Sequence, residues 1–303
     1  MASNFTGGNH MTISRQGRAR TILAALLLPC LVVIGCADDS STKSDTADTS
    51  DQKPAAANTT GAQASEETTS TVAPSESLHI LVTNDDGIAA PGIDALVNAL
   101  SELPDTTVEV VAPAENQSGT SDKTTPEGAP GTPAATASGV AGTAVAGFPA
   151  DSVIFALANR GTLPTPDLVI SGINAGANIG PFVSLSGTVG AAKTAVRNGI
   201  PALATSQGLT DNPDYGSGVK YTLEWLAKNR SQVLDGTLAV KVYNLNIPTC
   251  TTGTIRGMVT EPTATEVNDR EMVKSNCEST VTEFADDVDA FGNGYVAYAE
   301  LTE

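Results

Sequence analysis

The chain has 303 residues, 40% of them hydrophobic, enough for one large domain or two small ones with a real core, and this excludes disorder of the chain as a whole. Its 34 acidic and 16 basic residues, a formal net charge of −18, exclude a protein whose main work is neutralising nucleic-acid phosphates. Aromatics at 4%, no long apolar run beyond the N-terminus and four cysteines without a Cys-x-x-Cys pair exclude a polytopic membrane protein and a cysteine-clustered metal site.

The first element in chain order is an export signal, expected over residues 1–35. Arg15, Arg18 and Arg20 precede an apolar run over 22–34, which is short of the roughly 20 residues a membrane span needs and is interrupted by Pro29. The sequence Val33-Ile34-Gly35-Cys36 resembles the lipobox of bacterial lipoproteins. Cys36 is therefore expected to carry lipid, and the protein to be exported and held to a membrane through that lipid alone. Residues 36–76 are rich in Ser, Thr, Ala, Asp and Gln and bury too little to offset their conformational entropy, so they read as an acidic tether. The folded domain is expected over 77–303.

Removal of the signal leaves His79 as the only histidine, inside a strand-like run. A histidine-based triad or a histidine-ligated zinc site then lacks its partners. Cys250 and Cys277 are the cysteines that remain besides Cys36, and in an exported protein they are expected to form a disulfide.

Strand and helix patterns then alternate. A β-rich run over 78–83 ends in Asn84-Asp85-Asp86-Gly87, and Ile93, Leu96, Val97 and Leu100 recur at helical spacing. A second strand over 108–112 is closed by Pro113. Strands over 167–171 and 201–206 flank a helix over 189–197, and Val219, Leu223 and Leu226 share a helix face. Further strands are expected over 238–245, 255–260 and 295–301, while 114–150 and 248–290 read as insertions or arms. This rhythm implies an α/β fold, a mostly parallel sheet with helices on both faces.

Ligands of such sheets bind beyond the carboxyl ends of the strands. Those ends carry Asp85-Asp86, then Asn116, Gln117 and Ser118, then Ser171 through Asn178. Taken singly each is also an ordinary turn. Together they make an all-oxygen set suited to Mg²⁺ or Mn²⁺. Ser186-Gly187-Thr188 opens the helix that carries Lys193 and Arg197, where unpaired amides could seat a phosphate or the serine could serve as a plain N-cap. With no usable histidine, attack on phosphorus falls to metal-activated water or to a carboxylate; adjacent acids in place of the Asp-x-Asp typical of aspartyl-phosphate enzymes favour water, with Asp85 or Asp86 accepting a proton. Two other readings are a surface protein that binds nucleotides or phosphate without hydrolysis, and a dinucleotide enzyme. The latter fails because no Gly-x-Gly-x-x-Gly follows the first strand.

Asn84-Asp85-Asp86-Gly87 with Ala90-Pro91-Gly92-Ile93, Val111-Ala112-Pro113 with Ser118-Gly119-Thr120-Ser121, Ser171 through Asn178, and Ser186-Gly187-Thr188-Val189 together resemble the SurE family of survival-protein nucleotidases. The resemblance implies a Rossmann-like three-layer α/β/α domain with a C-terminal arm or β extension. It also implies divalent-metal-dependent hydrolysis of nucleoside monophosphates, and a homodimer or tetramer. By motif position Asp85, Asp86, Ser118 and Asn174 would hold the metal, with Asp85 and Asp86 catalytic. Asn178, Ser186, Gly187 and Thr188 would lie against the phosphate. Gly147-Phe148-Pro149-Ala150-Asp151 departs from the Gly-Thr-Pro that usually precedes the acidic residue, and the C-terminal region is poorly matched.

Overall fold

The computed structural model describes residues 77–266 and 274–302. The expected signal (1–35), the lipidated Cys36 and the tether (36–76) lie outside the described residues. Among the described residues no helix is long and apolar enough to cross a membrane.

Strand β1 (Leu78–Thr83) is buried at every position, as a strand covered on both faces must be. It lies in parallel between β2 (Thr106–Pro113) and β5 (Leu168–Ala175), with Ile80 opposite both Val108 and Leu168. Parallel strands β6 (Ala202–Gln207) and β7 (Val242–Ile247) extend the sheet beyond β5. A hairpin of β3 (Gly131–Ala135) and β4 (Ala141–Val145) joins the other side through β4 against β2. At the far edge β9 (Val296–Leu301) runs antiparallel to β7, and β8 (Met258–Thr260) lies beside it, so the C-terminal segment is a β extension of the same sheet. The strand order is β3-β4-β2-β1-β5-β6-β7-β9-β8.

Helices α1 (Pro91–Ser101) and α4 (Tyr215–Leu234) supply one core, around Ile93, Leu96, Trp225 and Leu226. Helices α2 (Pro149–Ala158) and α3 (Gly187–Arg197) supply the other, around Val153, Val189 and Ala192. The expected three-layer α/β/α architecture is what the chain adopts. Helix α1, which follows β1, packs on one face of the sheet and α2, which precedes β5, on the other, so the strand order reverses between β1 and β5, where sheets of this kind bind ligands.

The boundaries differ from expectation at four places, each for a local reason. Strand β5 continues past Ser171 to Ala175 through a shift in its pairing with β6 between Ser171 and Asn174. Gly172 permits this, since at φ 145° a Cβ there would lie 2.3 Å from the Thr205 carbonyl oxygen. Strand β7 starts at Val242, because the amides of Thr237 and Leu238 both turn back to the Gln232 carbonyl and close α4. Strand β8 starts only at Met258, after Gly257 at φ 124°. The stretch 114–150 is not an irregular insertion, because it contains β3, β4 and the start of α2. Their Ala-, Gly- and Pro-rich composition hides the strands, and α2 has Phe148 where a hydroxyl or Asx cap would announce a helix.

Asp151 supplies the missing cap. Its Oδ2 accepts from the Phe148 amide at 2.9 Å and the Thr125 hydroxyl at 2.7 Å, and its Oδ1 accepts from the Thr125 amide at 2.9 Å. Asp151→Ala leaves these buried donors unpaired and is expected to destabilise the protein by about 2–3 kcal/mol, read as a lower urea midpoint with an unchanged slope.

Candidate active site

Asp85 follows β1 directly and is 2% exposed. Its Oδ1 accepts from the Thr188 hydroxyl at 2.7 Å, and its carbonyl accepts from the Gln117 amide at 2.7 Å. The first turn of α3 sits against it so closely that a Cβ on Gly187 would fall 2.8 Å from the Asp85 Cβ and 3.0 Å from its Oδ2. Burial pushes the Asp85 carboxyl up to about 6, opposed by the Thr188 hydroxyl and raised further by the neighbouring charge of Asp86; the amides of Asp85 and Thr188 also favour its charged form.

Asp86 faces another way. Its Oδ1 accepts from Asn116 Nδ2 at 3.0 Å and its Oδ2 from the Ala175 amide at 2.9 Å. Burial raises its pKa as well, and these two donors offset part of the rise. Asn116 Oδ1 in turn accepts from the Ser118 amide at 3.0 Å, so one side chain links Asp86 to the loop after β2. The turn between the acids and α1 is made by Asn84, whose Nδ2 donates to the Gly87 carbonyl at 2.9 Å.

A cavity of about 470 Å³ opens over Asp85 and is also lined by Ser118, Asn174, Asn178 and Ser186. Asp86 lines the adjoining cavity of about 370 Å³ with Asn116 and Tyr215, and Ala175 is common to both. Of the four expected metal ligands, Asp85, Ser118 and Asn174 line one cavity and Asp86 lines the adjoining one. Asn174 Nδ2 donates to the Gly176 carbonyl at 2.7 Å, so its oxygen is the atom left for a ligand.

The four residues expected at the phosphate divide into two pairs. Ser186 lines the cavity but also caps α3, its Oγ accepting from the Val189 amide at 3.0 Å. Asn178 lines it too, its amide donating to Asn246 Oδ1 at 2.7 Å and its Nδ2 to Ser206 Oγ at 2.9 Å. Gly187 and Thr188, in contrast, do not line the cavity: the Thr188 hydroxyl and amide donate to Asp85, and Gly187 packs against its side chain. Arg197 pairs with Asp122 at 2.7 Å on the surface, at the other end of the helix.

Several contributors have little signal in the sequence. Asn244 and Asn246 both donate to the Asn178 carbonyl, at 2.9 and 3.2 Å, from one face of β7; two asparagines at alternate positions of a buried strand are the hint that could have found them. Phe182, Leu185, Leu209 and Phe291 make an apolar side to the cavity, with Leu185 56% and Leu209 66% exposed at its mouth. The buried His79 contributes nothing here, standing 3.3 Å from Glu109 within β1, away from the crevice.

A divalent cation fits this donor set. No ion pair found among the described residues involves Asp85 or Asp86, so the buried Asp85 and the half-buried Asp86 are held by neutral donors without counter-charge. No group of three or more His, Cys, Asp or Glu side chains is suitably placed among the described residues, so neutral oxygens such as Asn174 and Ser118 must complete any shell.

The family model described as "Survival protein SurE" matches residues 80–271. The chain is 41% identical over 176 residues to the 5'-nucleotidase SurE of Methanopyrus kandleri, covering 56% of this chain and 66% of that protein. It is 39% identical over 184 residues to the 5'/3'-nucleotidase SurE of Serratia proteamaculans, covering 60% of this chain and 68% of that one. The matched stretch is therefore about two thirds of these relatives' length. The crystal structure of the SurE protein from Aquifex aeolicus superposes with a TM-score of 0.59 at 28% identity, over 74% of this chain and 92% of that one.

Proposed function

This chain belongs to the SurE family of survival proteins, and on that premise we propose that it is a divalent-metal-dependent phosphomonoesterase that releases phosphate from nucleoside monophosphates. One observation carries the reading: a buried, cation-free carboxylate, Asp85, sits at the floor of a cavity of about 470 Å³ that is polar at this end and apolar at its mouth. That size and division suit a ligand with a charged head and a flat organic body.

The cation would be held by Asp85, Asn174 and Ser118 with Asp86 on its flank, and when bound it supplies charge neutralisation for the phosphate and acidifies its water. The chain's own residues do the rest. The Thr188 hydroxyl and the closely packed start of α3 hold Asp85 in place. Asn116 and the Ala175 amide hold Asp86, whose raised basicity suits it to accept a proton. Ser186 and Asn178 offer polar atoms to the phosphoryl oxygens, and Phe182, Leu185, Leu209 and Phe291 exclude water from the organic half.

We place the protein outside the cytosol as a lipid-tethered export product, a reading supported by the arginine-flanked apolar run ending at Cys36 and by the Cys250–Cys277 disulfide. Inorganic phosphate released from a panel of nucleoside monophosphates should depend on Mg²⁺ or Mn²⁺ and vanish with EDTA. Binding of nucleotides by folded, metal-supplemented protein with no release would replace this reading with a binding protein.

A further inference from the structure

One wall of the main cavity is made by two chain segments that lie far apart in sequence. One is the segment after β7, where Thr249 and Thr251 line the cavity on either side of Cys250. The other is the segment before α5 (Asp287–Gly292), where Lys274 and Ser275 line it just ahead of Cys277. The disulfide between Cys250 and Cys277, 27 residues apart in sequence, joins the two.

Each segment is well anchored on its own side. Gln207 Nε2 donates to the Thr249 hydroxyl at 2.9 Å and the Pro248 carbonyl at 3.1 Å, and that hydroxyl donates to the Gly208 carbonyl at 2.6 Å. The Asn276 amide donates to the Gly292 carbonyl at 2.8 Å, next to Phe291. Around Cys277 the packing admits no side chain at two neighbours: a Cβ on Gly253 would lie 2.8 Å from the Cys277 carbonyl oxygen, and one on Gly294 would lie 2.7 Å from its Cα. Between the two segments, however, the side-chain links among the described residues are the disulfide and two exposed hydrogen bonds, from the Thr252 hydroxyl to Glu278 at 3.1 Å and from Arg256 Nη1 to the Val281 carbonyl at 2.7 Å. Exposed contacts of this kind hold two loops weakly, so the covalent bond sets their separation.

We propose that the Cys250–Cys277 disulfide is a positioning element for the organic half of the substrate, fixing this wall of the cavity so that Thr251 and Lys274 contact an alcohol of nucleoside size. This rests on the phosphomonoesterase reading above and adds to it a specificity element. Lys274 is the one cation among the described residues that line the cavity, and Thr251 adds a hydroxyl, so an extended polar body is what this wall can recognise. The proposal requires that a phosphomonoester smaller than a nucleotide be turned over without contact to this wall.

The test measures KM and kcat of the full chain, with Mg²⁺ or Mn²⁺, on adenosine monophosphate and on glycerol 2-phosphate. Both are followed before and after reduction with a phosphine and again after reoxidation. Reduction is expected to raise KM for adenosine monophosphate about tenfold, the scale of one or two lost hydrogen bonds, with kcat little changed, with glycerol 2-phosphate unaffected and with reoxidation restoring the oxidised values. Equal losses on both substrates, or none on either, overturn the proposal. Should reduction unfold the protein, Lys274→Gln and Thr251→Val in the oxidised protein decide instead. A rise in KM confined to adenosine monophosphate supports the wall's role, and unchanged KM on both substrates rejects it. Absence of release from either substrate by the oxidised, metal-loaded protein is a separate pattern, and it rejects the phosphomonoesterase reading together with this one.

Discussion

Asp85→Asn is expected to lower phosphate release on the order of a thousandfold or more while making the metal-free protein more stable. The activity loss follows from the site's chemistry: the substitution removes the buried charge that faces the cavity and would hold the cation, and groups that contribute several kcal/mol act on this scale. The stability gain follows from the pKa. The folded protein raises the Asp85 carboxyl from 3.8 to about 6, so its protonated form is favoured and deprotonation opposes folding. The penalty is absent below pH 3.8, grows as pH rises towards 6 and is complete above it, at about 3 kcal/mol for a shift of this size. The asparagine stays neutral and keeps an oxygen for the Thr188 hydroxyl. In EDTA, melting temperatures at about pH 7.5 should therefore favour the variant by several degrees, and at about pH 4 the gap should nearly close. Added Mg²⁺ or Mn²⁺ should stabilise the native protein and leave the variant unmoved. A variant that binds the ion as the native protein does would remove Asp85 from the site, whatever its activity.

The second large effect is expected from Gly187→Ala. At an ordinary helical position this change stabilises by up to about 1 kcal/mol. Here the new methyl would meet Asp85 Cβ at 2.8 Å, Asp85 Oδ2 at 3.0 Å and Pro149 Cγ at 3.1 Å. Overpacking of this kind costs about 1–3 kcal/mol, which outweighs the propensity gain. Asp85 cannot move aside without losing the 2.7 Å bond from Thr188, and α3 is closely packed at Gly190 as well, where a Cβ would lie 2.1 Å from the Ser121 carbonyl oxygen. Activity is expected to fall about ten- to a hundredfold through the displaced carboxylate, with stability lowered rather than raised. Thermal melts and kcat measured on one preparation check both, and a more stable, fully active variant would mean that the α3 start does not hold Asp85.

Much of this site is legible in the amino-acid sequence, and the reason is local chemistry. Apolar runs such as 78–83 and helical spacing such as Ile93, Leu96 and Val97 announce their elements, because burial on both faces of a sheet demands them. Once strands and helices alternate, the rule that ligands sit at the carboxyl ends directs attention to Asp85, Ser118 and Asn174, and these three do line one cavity. The stretches that stay hidden are those whose elements lean on distant partners: β3 and β4 are Ala- and Gly-rich and exist because β4 pairs with β2, and α2 starts where Asp151 replaces an ordinary cap.

What the linear order of residues determined by itself is the fold class, the set of oxygen-bearing strand ends and the cysteine pair, since each depends on residue type and spacing along the chain. Only the tertiary structure decided the division of labour within the set. Thr188 donates to Asp85 and Gly187 packs against it, Asp86 turns to an adjoining cavity, Asn244 and Asn246 carry Asn178, and the Cys250–Cys277 bond joins two segments of one cavity wall. These assignments depend on which donors and acceptors meet across long separations in the chain, as with Asp85 and Thr188 at 103 residues or Asn178 and Asn244 at 66. No periodicity records such a meeting, because it is packing that brings the partners within hydrogen-bonding distance and burial that makes leaving them unpaired costly.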